Sequence, residues 1–212
     1  HLQTPELENV QHYYDEDYRL LAASEEEDQL YRMETDRKVF RFDHQAATLL
    51  RKVNIPRNAK VLDFGCSKGT TLKKVTGERL DIIPHLFDIT DNYVGFWERF
   101  VPKDRYAVYG VPSSWKNYFD VVVSFFVFEH ADMPRKALAE VRDLLKTGGI
   151  FYGIVPNVYT NRADFLVVDH VNHFSRDSLA HFLSAGGFSV ADIDDTAHES
   201  AFVFVAEKKD DL

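Results

Sequence analysis

The sequence is poor in cysteine, in long apolar runs and in clustered basic residues, and each shortage excludes a class of protein. Cys66 is the only cysteine, so an internal disulfide is excluded and a reducing, cytoplasmic setting is compatible. The longest apolar run, Val121 to Phe128, is interrupted by Ser124 and is too short to span a membrane. The formal net charge of -9, without a run of lysine or arginine, argues against nucleic acid as a main partner.

The length and hydrophobic content of the chain indicate one α/β domain with a short extension. A chain of 212 residues with 45% hydrophobic residues can bury one substantial core. Ser24 to Glu27 form a capping-box pattern, after which apolar residues recur near helical spacing up to about Lys52. We therefore expect residues 1–55 to form a helical extension and residues 56–212 to form the core. Because the chain begins at His1 rather than methionine, we expect it to belong to a larger, multidomain protein.

A short apolar segment followed by two glycines is the most informative part of the sequence. Val61 to Phe64 suits a buried strand with Asp63 near its carboxyl end, and Gly65 and Gly69 then bracket a turn into a helical segment. In open α/β sheets, ligands bind beyond the carboxyl ends of the strands. Glycine lets the backbone approach such a ligand, and a helix N-terminus offers it free N–H groups. The pattern therefore predicts a nucleotide-like ligand at this turn.

The spacing of the glycines distinguishes between kinds of nucleotide. A dinucleotide fingerprint would need glycine where the chain has Ser67 and Thr70, and a phosphate loop is absent from the sequence. The segment Asp63-Phe64-Gly65-Cys66-Ser67-Lys68-Gly69 instead resembles the D-x-G-x-G-x-G signature of class I S-adenosylmethionine-dependent methyltransferases, with Ser67 in place of the middle glycine. This resemblance implies S-adenosylmethionine as the cofactor and S-adenosylhomocysteine as the product. A nicotinamide dehydrogenase is the alternative that the missing glycines disfavour.

By the same resemblance, acidic residues at two neighbouring strand ends bind the amino-acid and ribose parts of the cofactor. Asp88 ends the second predicted strand, where a carboxylate can accept hydrogen bonds from two ribose hydroxyls, and Asp81 is a weaker alternative for this role. The full set of cofactor-binding residues that the resemblance implies is Asp63, Gly65, Cys66, Ser67, Gly69, Asp88, Ile89, Val111 and Phe125.

Further segments extend the resemblance over most of the chain. The strand-like run Tyr118 to Phe126 and the following Glu129-His130 resemble an F-D-x-V element and the E-H pair that often follows it. The last two predicted strands, Ser189 to Asp194 and Ser200 to Glu207, are suited to antiparallel pairing. The resemblance therefore implies a Rossmann-like, doubly wound α/β fold with a seven-stranded sheet that is mostly parallel and has an antiparallel C-terminal strand.

The loop before the last predicted helix contains two histidines and an acid. Its sequence from His170 to Ser175 resembles the H-x-x-H-F-S element of a broad methyltransferase group. We expect His170 to act as a general base, with His130 or His173 supporting it and Asp169 holding an imidazole in its basic tautomer. Purely structural hydrogen bonding by these histidines is the alternative. The H-x-x-H spacing could also chelate a metal, but without a further cysteine or a regular helix we expect no metal ion.

The acceptor is the part of the reaction that the sequence constrains least. The group carrying the E-H and H-x-x-H-F-S elements is rich in sugar and natural-product methyltransferases. The resemblance therefore implies O-methylation of a small polar acceptor, with a sugar or glycan hydroxyl as the leading candidate. Tyr13, Tyr14 and Glu129 are expected to line the substrate pocket, the tyrosines as part of a lid. N- or C-methylation is one alternative, and a cofactor-binding but non-catalytic interaction module, favoured by Ser67, is another.

Overall fold

A seven-stranded mixed sheet with flanking helices organises the chain in a computed structural model, which describes Tyr13 and residues 29–167 and 169–210. A two-stranded hairpin precedes this sheet. The elements in chain order are β1 (Leu30–Glu34), β2 (Arg37–Phe40), α1 (Arg41–Lys52), β3 (Lys60–Phe64), α2 (Thr70–Glu78), β4 (Ile83–Asp88), α3 (Val94–Trp97), β5 (Tyr106–Val108), β6 (Phe119–Phe125), α4 (Pro134–Leu144), β7 (Leu145–Pro156), α5 (Arg176–Ala185), β8 (Phe188–Asp194) and β9 (Ala201–Lys208). Short 3-10 helices lie at Lys103–Arg105, Ser113–Trp115 and Arg162–Leu166.

The order of strands in the large sheet is β5-β4-β3-β6-β7-β9-β8. β3 lies between β4 and β6 and is parallel to both, and β9 runs antiparallel to both of its neighbours. This arrangement confirms the expected Rossmann-like, doubly wound sheet with an antiparallel C-terminal strand. Because β3, β4 and β6 are parallel, their carboxyl ends meet at one edge of the sheet, where a doubly wound fold places its ligands.

The central strands form because their residues are apolar on both faces, as a buried parallel strand requires. Val121, Val122 and Val123 of β6 are all fully buried. Since successive side chains of a strand point to opposite faces, Val121 and Val123 join the apolar cluster that includes Leu49 of α1. Val122 joins the other cluster, which includes Phe151 of β7. The sheet is thus packed between two cores, which fixes the strand ends relative to one another.

The helices cover the sheet and define the loops at its carboxyl edge. The Thr71 hydroxyl of α2 donates to the buried Gln45 amide of α1 at 2.8 Å, which joins these two helices. Helix α5 begins at a Ser175 N-cap, whose hydroxyl accepts the N–H of Ser178 at 3.1 Å and so ends the long connection from β7. None of the helices that the structure describes is long and apolar enough to cross a membrane.

The segment before α1 departs from the sequence prediction. We expected a continuous N-terminal helix, but the chain forms the hairpin β1–β2 and becomes helical only at Arg41. Leu30 and Met33, whose spacing suggested a helix, are 51% and 57% exposed, and Thr35 adopts a φ of +46° in the turn between the strands. A short apolar pattern does not by itself separate a helix from a strand. The capping box at Ser24 lies outside the described residues, and the expected two-part division of the chain stays a prediction.

Candidate active site

The turn between β3 and α2 has the backbone that a closely approaching ligand needs. Gly65 and Gly69 adopt φ values of +76° and +71°, a region that favours glycine. The N–H groups of Gly65 and Cys66 donate to the carbonyl of Phe87 at 2.9 and 3.0 Å, which fixes the turn against β4. A Cβ at Gly65 would lie 2.5 Å from a methyl carbon of Val127, in the loop after β6. The turn therefore packs too closely on that loop to accommodate a side chain there.

Ser67 occupies the position of the middle glycine and keeps the left-handed backbone of the turn. Its φ is +49°, a conformation that is strained for serine. Its N–H donates to Oδ2 of Asp88 at 2.7 Å, its carbonyl accepts from Nε1 of Trp97 at 2.6 Å, and its side chain is hydrogen-bonded to Tyr93. Tyr93 and Trp97 were not predicted for this site. Their i, i+4 spacing was the one sequence signal that they share a helix face.

Two buried carboxyl groups lie at the neighbouring ends of β3 and β4. Asp63 is 2% exposed, and its Oδ1 has no hydrogen-bond partner among the described residues. Burial, and after it the charge of Asp88, raises the pKa of Asp63 well above its usual value. Burial raises the pKa of Asp88 to about 6, although the N–H groups of Ser67, Thr90 and Ile89 partly offset this. A cation and hydroxyl donors would reverse both shifts, and S-adenosylmethionine carries an ammonium, a sulfonium and ribose hydroxyls.

The remaining residues predicted to bind the cofactor lie along the same edge of the sheet. Cys66 is buried in the turn, where burial and the two nearby carboxylates raise the pKa of its thiol. Ile89 directly follows β4, Val111 lies shortly after β5, and Phe125 ends β6; all three side chains are half-buried. These residues therefore border the space beyond the strand ends without filling the core.

Asp81, the weaker alternative for the ribose, lies at the opposite end of the strand. It precedes β4, which begins at Ile83, whereas Asp88 ends it. Its two carboxylate oxygens accept hydrogen bonds from the guanidinium of Arg79 at 2.8 and 3.0 Å. This ion pair lowers the pKa of Asp81. Asp81 is therefore excluded as the ribose-binding acid, since β4 separates it from the turn.

A second group of polar side chains comes from the loop after β6 and from the connection between β7 and α5. We call it the acceptor cluster, and its members are Glu129, His130, Asp164, Asp169, His170 and His173. Asp164 is buried and binds two of the histidines: Nδ1 of His170 donates to Oδ1 and Nδ1 of His173 donates to Oδ2, both at 2.6 Å. Burial alone would raise the pKa of Asp164, but these hydrogen bonds bring it below its usual value. The sequence did not predict Asp164, because no motif links it to the histidines.

Asp169 faces His130 rather than its neighbour in sequence. Nδ1 of His130 donates to the Asp169 carbonyl at 3.1 Å and lies 3.0 Å from its carboxylate. The imidazole that Asp169 contacts is therefore that of His130, whereas Asp164 contacts the His170 ring next to Asp169 in sequence. The rings of His130 and His170 meet edge to face, with centroids 4.7 Å apart. The two imidazoles thus come from different segments, and a different acid orients each of them.

Glu129 is fully buried within the acceptor cluster. Neither of its carboxylate oxygens has a hydrogen-bond partner within the described part of the chain, and burial raises the pKa of this carboxyl well above its usual value. Its carbonyl accepts the N–H groups of Val171 and Asn172 at 2.8 and 3.0 Å, which ties the β7–α5 connection to the loop after β6. One ligand atom each from Glu129, His130 and His170 lies within 4.8 Å of the others. The cluster can therefore hold a cation as well as move a proton.

The predicted pocket tyrosines fall only partly within the described residues. Tyr14 lies outside them and Tyr13 is half-buried, so the lid role of this segment stays a prediction. Exposed aromatic side chains do occur in the β7–α5 connection. Phe165 is 47% exposed, with its ring centroid 4.6 Å from that of His173, and Tyr159 is 75% exposed. An exposed aromatic ring, that of Phe165, therefore borders the acceptor cluster.

Comparison with known proteins agrees with this geometry. The sequence matches a family model described as a methyltransferase domain over residues 32–193, which includes the turn, both carboxylates and the whole acceptor cluster. No curated protein sequence matches the chain.

Solved structures similar to this chain include methyltransferases of several kinds. One is the methyltransferase in a complex with the Haloferax volcanii Trm112 methyltransferase activator, with a TM-score of 0.66 and 18% identity over 80% of this chain and 90% of that one. Another is a Burkholderia thailandensis 1,6-didemethyltoxoflavin-N1-methyltransferase with S-adenosylhomocysteine bound, with a TM-score of 0.58 and 19% identity over 80% and 78% of the two chains. A third, the CurJ carbon methyltransferase, has a TM-score of 0.59 and 20% identity over 76% and 51%. At these identities the likeness shows the fold alone.

Proposed function

Because the chain belongs to the methyltransferase domain family, we propose that it transfers a methyl group from S-adenosylmethionine to a hydroxyl of a small polar acceptor, with a sugar or glycan as the leading candidate. The bound cofactor supplies a methyl group on a positively charged sulfur, which is already activated for displacement. The chain itself must position the acceptor and provide a place for the hydroxyl proton. The two parts of the site described above correspond to these two tasks.

Asp63 and Asp88 are the residues that we propose to hold the cofactor. Oδ1 of Asp63, which has no partner in the described chain, suits a ligand ammonium, and Asp88 at the end of β4 suits the ribose hydroxyls. The Asp88 carboxylate also accepts the N–H of Ser67, so the proposed ribose site and the left-handed turn depend on the same side chain.

The observation that carries the proposal is the pair of oriented imidazoles at the carboxyl edge of the sheet. Because a carboxylate can only accept, Nδ1 of His170 carries the proton, and Nε2 keeps the lone pair that a general base needs. The His130 ring contacts the His170 ring edge to face, and His130 lies in the same loop as Val127, which packs on the Gly65 turn. The acceptor cluster therefore lies beside the cofactor turn. In the metal-free protein we propose His170 as the base, supported by His130 and His173.

The exposed aromatic ring beside the acceptor cluster favours a sugar among the polar acceptors. Phe165 presents an exposed ring next to His173, and the apolar C–H face of a sugar can pack on such a ring. The hydroxyl groups of the sugar would then lie within the polar cluster. An acceptor with no apolar face would leave the Phe165 ring uncovered.

A panel of acceptors and a donor labelled on its methyl group, read by mass spectrometry, tests the proposal. Sugars or glycans are expected to gain the label on oxygen. His170→Ala should lower kcat by about 10²- to 10⁴-fold, the usual contribution of a general base, while calorimetry shows unchanged affinity for S-adenosylhomocysteine. His181→Ala, on the exposed face of α5, is the matched control and should alter neither quantity. Unchanged turnover in His170→Ala would remove this residue from the chemistry.

Methylation of nitrogen or carbon is the second candidate, because the similar structures include an N1-methyltransferase and a carbon methyltransferase. Label found only on nitrogen or carbon would establish it in place of O-methylation. The non-catalytic module loses much of its support, since hydrogen bonds to Asp88 and from Trp97 accommodate Ser67 in the turn. Binding of S-adenosylhomocysteine without turnover on any acceptor would restore it. Membership of the family contradicts a nicotinamide dehydrogenase.

A further inference from the structure

We propose that Glu129, His130 and His170 form a binding site for one divalent transition-metal ion. This inference rests on the proposed function, because the ion would lie where the acceptor hydroxyl loses its proton. It revises the sequence expectation that no metal is bound. That expectation considered only the spacing of His170 and His173. In the structure, the ligand atoms grouped with His170 come instead from Glu129 and His130, in the loop after β6.

The positions of the three ligand atoms are the first support. One carboxylate oxygen and two imidazole nitrogens lie within 4.8 Å of one another. Ligands about 2.0–2.2 Å from a tetrahedral ion are separated by about 3.4 Å, so side-chain shifts of about 1 Å would complete the site. Glu129 and His130 are neighbours in one loop, and the main-chain hydrogen bonds that Glu129 accepts hold the His170 segment against that loop.

The acids behind the histidines are the second support. Asp164 accepts the Nδ1 proton of His170, and the carbonyl and carboxylate of Asp169 lie 3.1 and 3.0 Å from Nδ1 of His130. Metal-binding histidines in proteins donate their second N–H to such carboxylates or carbonyls, which fixes the tautomer and orients the ring. At both imidazoles of the proposed site, Nδ1 has such an acceptor.

The buried carboxylate of Glu129 is the third and independent support. Its exposure is 0%, and both oxygens are without a hydrogen-bond partner in the part of the chain described. Burial of a carboxyl without a partner is costly, and such groups in proteins are usually paired or bound to a metal. Proton abstraction by His170, oriented by Asp164, gives Glu129 no role, whereas a cation between Glu129, His130 and His170 would supply the partner that the Glu129 carboxylate lacks.

The ligand set indicates which ions fit. Two imidazoles and one carboxylate suit zinc, or iron(II) in a site of the same composition, and they are a poor set for magnesium or calcium, which prefer oxygen ligands. Three protein ligands leave a position open for an acceptor oxygen. An ion there would lower the pKa of a bound hydroxyl. His170 would then be a ligand rather than the base, and the proton would pass to His173 on the other oxygen of Asp164.

Calorimetric titration of the chelator-treated protein with zinc chloride, without cofactor or acceptor, tests the site. The wild-type chain is expected to bind one ion that Glu129→Gln and His170→Gln each weaken by more than about 100-fold. His181→Gln, a histidine on the exposed face of α5, controls for binding at the surface and should leave this affinity unchanged. Equal zinc binding by the wild type and both site variants, or no binding by the wild type, would overturn the proposal.

A second measurement covers the case in which a site variant does not fold. Crystals of the wild-type protein soaked in zinc chloride should show an anomalous peak between the Glu129 carboxylate and the Nε2 atoms of His130 and His170, and a map without one overturns the site. The outcome is also separate from that of the proposed function. Zinc bound here without methylation of any hydroxyl refutes the proposed function alone, and hydroxyl methylation by a protein that binds no zinc refutes the metal site alone.

Discussion

The left-handed turn at Gly65 leads to a quantitative prediction. Gly65→Ala adds a methyl group at a φ of +76°, 2.5 Å from Cγ2 of Val127. A non-glycine residue in this conformation costs about 1–2 kcal/mol, and forcing an extra carbon into the contact costs about 1–3 kcal/mol. The reduced freedom of the unfolded chain offsets about 0.4–1 kcal/mol. We therefore expect Gly65→Ala to lower the free energy of unfolding by about 2–4 kcal/mol.

The steric and the conformational parts can be separated with Val127. Val127→Ala removes both methyl carbons nearest to the new Cβ and leaves the Val127 Cβ at 3.3 Å. Alone, this change should cost about 1 kcal/mol for two half-buried methyl groups. When it is combined with Gly65→Ala, Val127→Ala should recover the free energy of unfolding that is lost to the steric clash. The cost of the positive φ at residue 65 should remain. The double-mutant cycle should therefore give a favourable coupling of about 1–3 kcal/mol.

Urea denaturation measures these free energies, and calorimetry with S-adenosylhomocysteine measures whether the altered turn still binds. Gly77→Ala is the matched control, because a Cβ there meets no atom of the described structure within 4 Å. Since Gly77 lies in α2, alanine should stabilise the protein by about 0.5–1 kcal/mol. The reasoning is refuted if Gly65→Ala is no more costly than Gly77→Ala, or if the effects at Gly65 and Val127 simply add.

Two further predictions concern the same edge of the sheet. Ser67→Gly should change the free energy of unfolding by less than about 1 kcal/mol, because relief of the strained φ is offset by a freer unfolded chain, whereas the β-branched Ser67→Val should cost more than about 2 kcal/mol. Equal effects of the two variants in urea denaturation would contradict this. The folded pKa of Asp88, about 6, exceeds its ordinary value of 3.8, so ionisation of this carboxyl destabilises the cofactor-free protein as the pH rises through that interval. Asp88→Asn should therefore raise the free energy of unfolding by up to about 3 kcal/mol at about pH 8 and lose this gain below about pH 4. The same variant should weaken S-adenosylhomocysteine binding. A gain in stability that persists at the lower pH would argue against the raised pKa of Asp88.

The cofactor part of the site could be predicted from sequence because its signals are local. An apolar strand, an acid at its end and two glycines lie within ten residues, and each has a direct structural consequence. Asp63 and Asp88 come together because parallel neighbouring strands end at the same edge. The seven-stranded, mostly parallel sheet with an antiparallel C-terminal strand followed from the family resemblance and is confirmed. What the motif did not contain were Tyr93 and Trp97, since their contact with the turn depends on where α3 packs.

The acceptor part could be predicted only as a list of residues. The structure brings His130, His170 and Asp169 together, but the sequence did not indicate which acid faces which imidazole. Asp169 faces His130, and Asp164 holds His170, because the connection from β7 folds back on itself before α5. The path of this connection in the folded chain determines which acid contacts which imidazole. Adjacency in sequence does not predict that path. The hairpin before α1 was not predicted for a related reason. Its apolar residues Leu30 and Met33 are exposed, so their spacing does not mark the buried face of a helix.

The loop after β6 joins the two parts of the site. This connection leads to a further prediction for Gly65→Ala. Val127 packs on the glycine turn, and two residues later Glu129 accepts the N–H groups that hold the His170 segment. A side chain at Gly65 that displaces Val127 should therefore also displace Glu129 relative to His170. We expect Gly65→Ala to lower kcat even at saturating cofactor, and Val127→Ala to recover part of that loss in the double variant. A full rate at saturation would mean that the turn acts on cofactor binding alone and that the acceptor cluster is positioned independently of it.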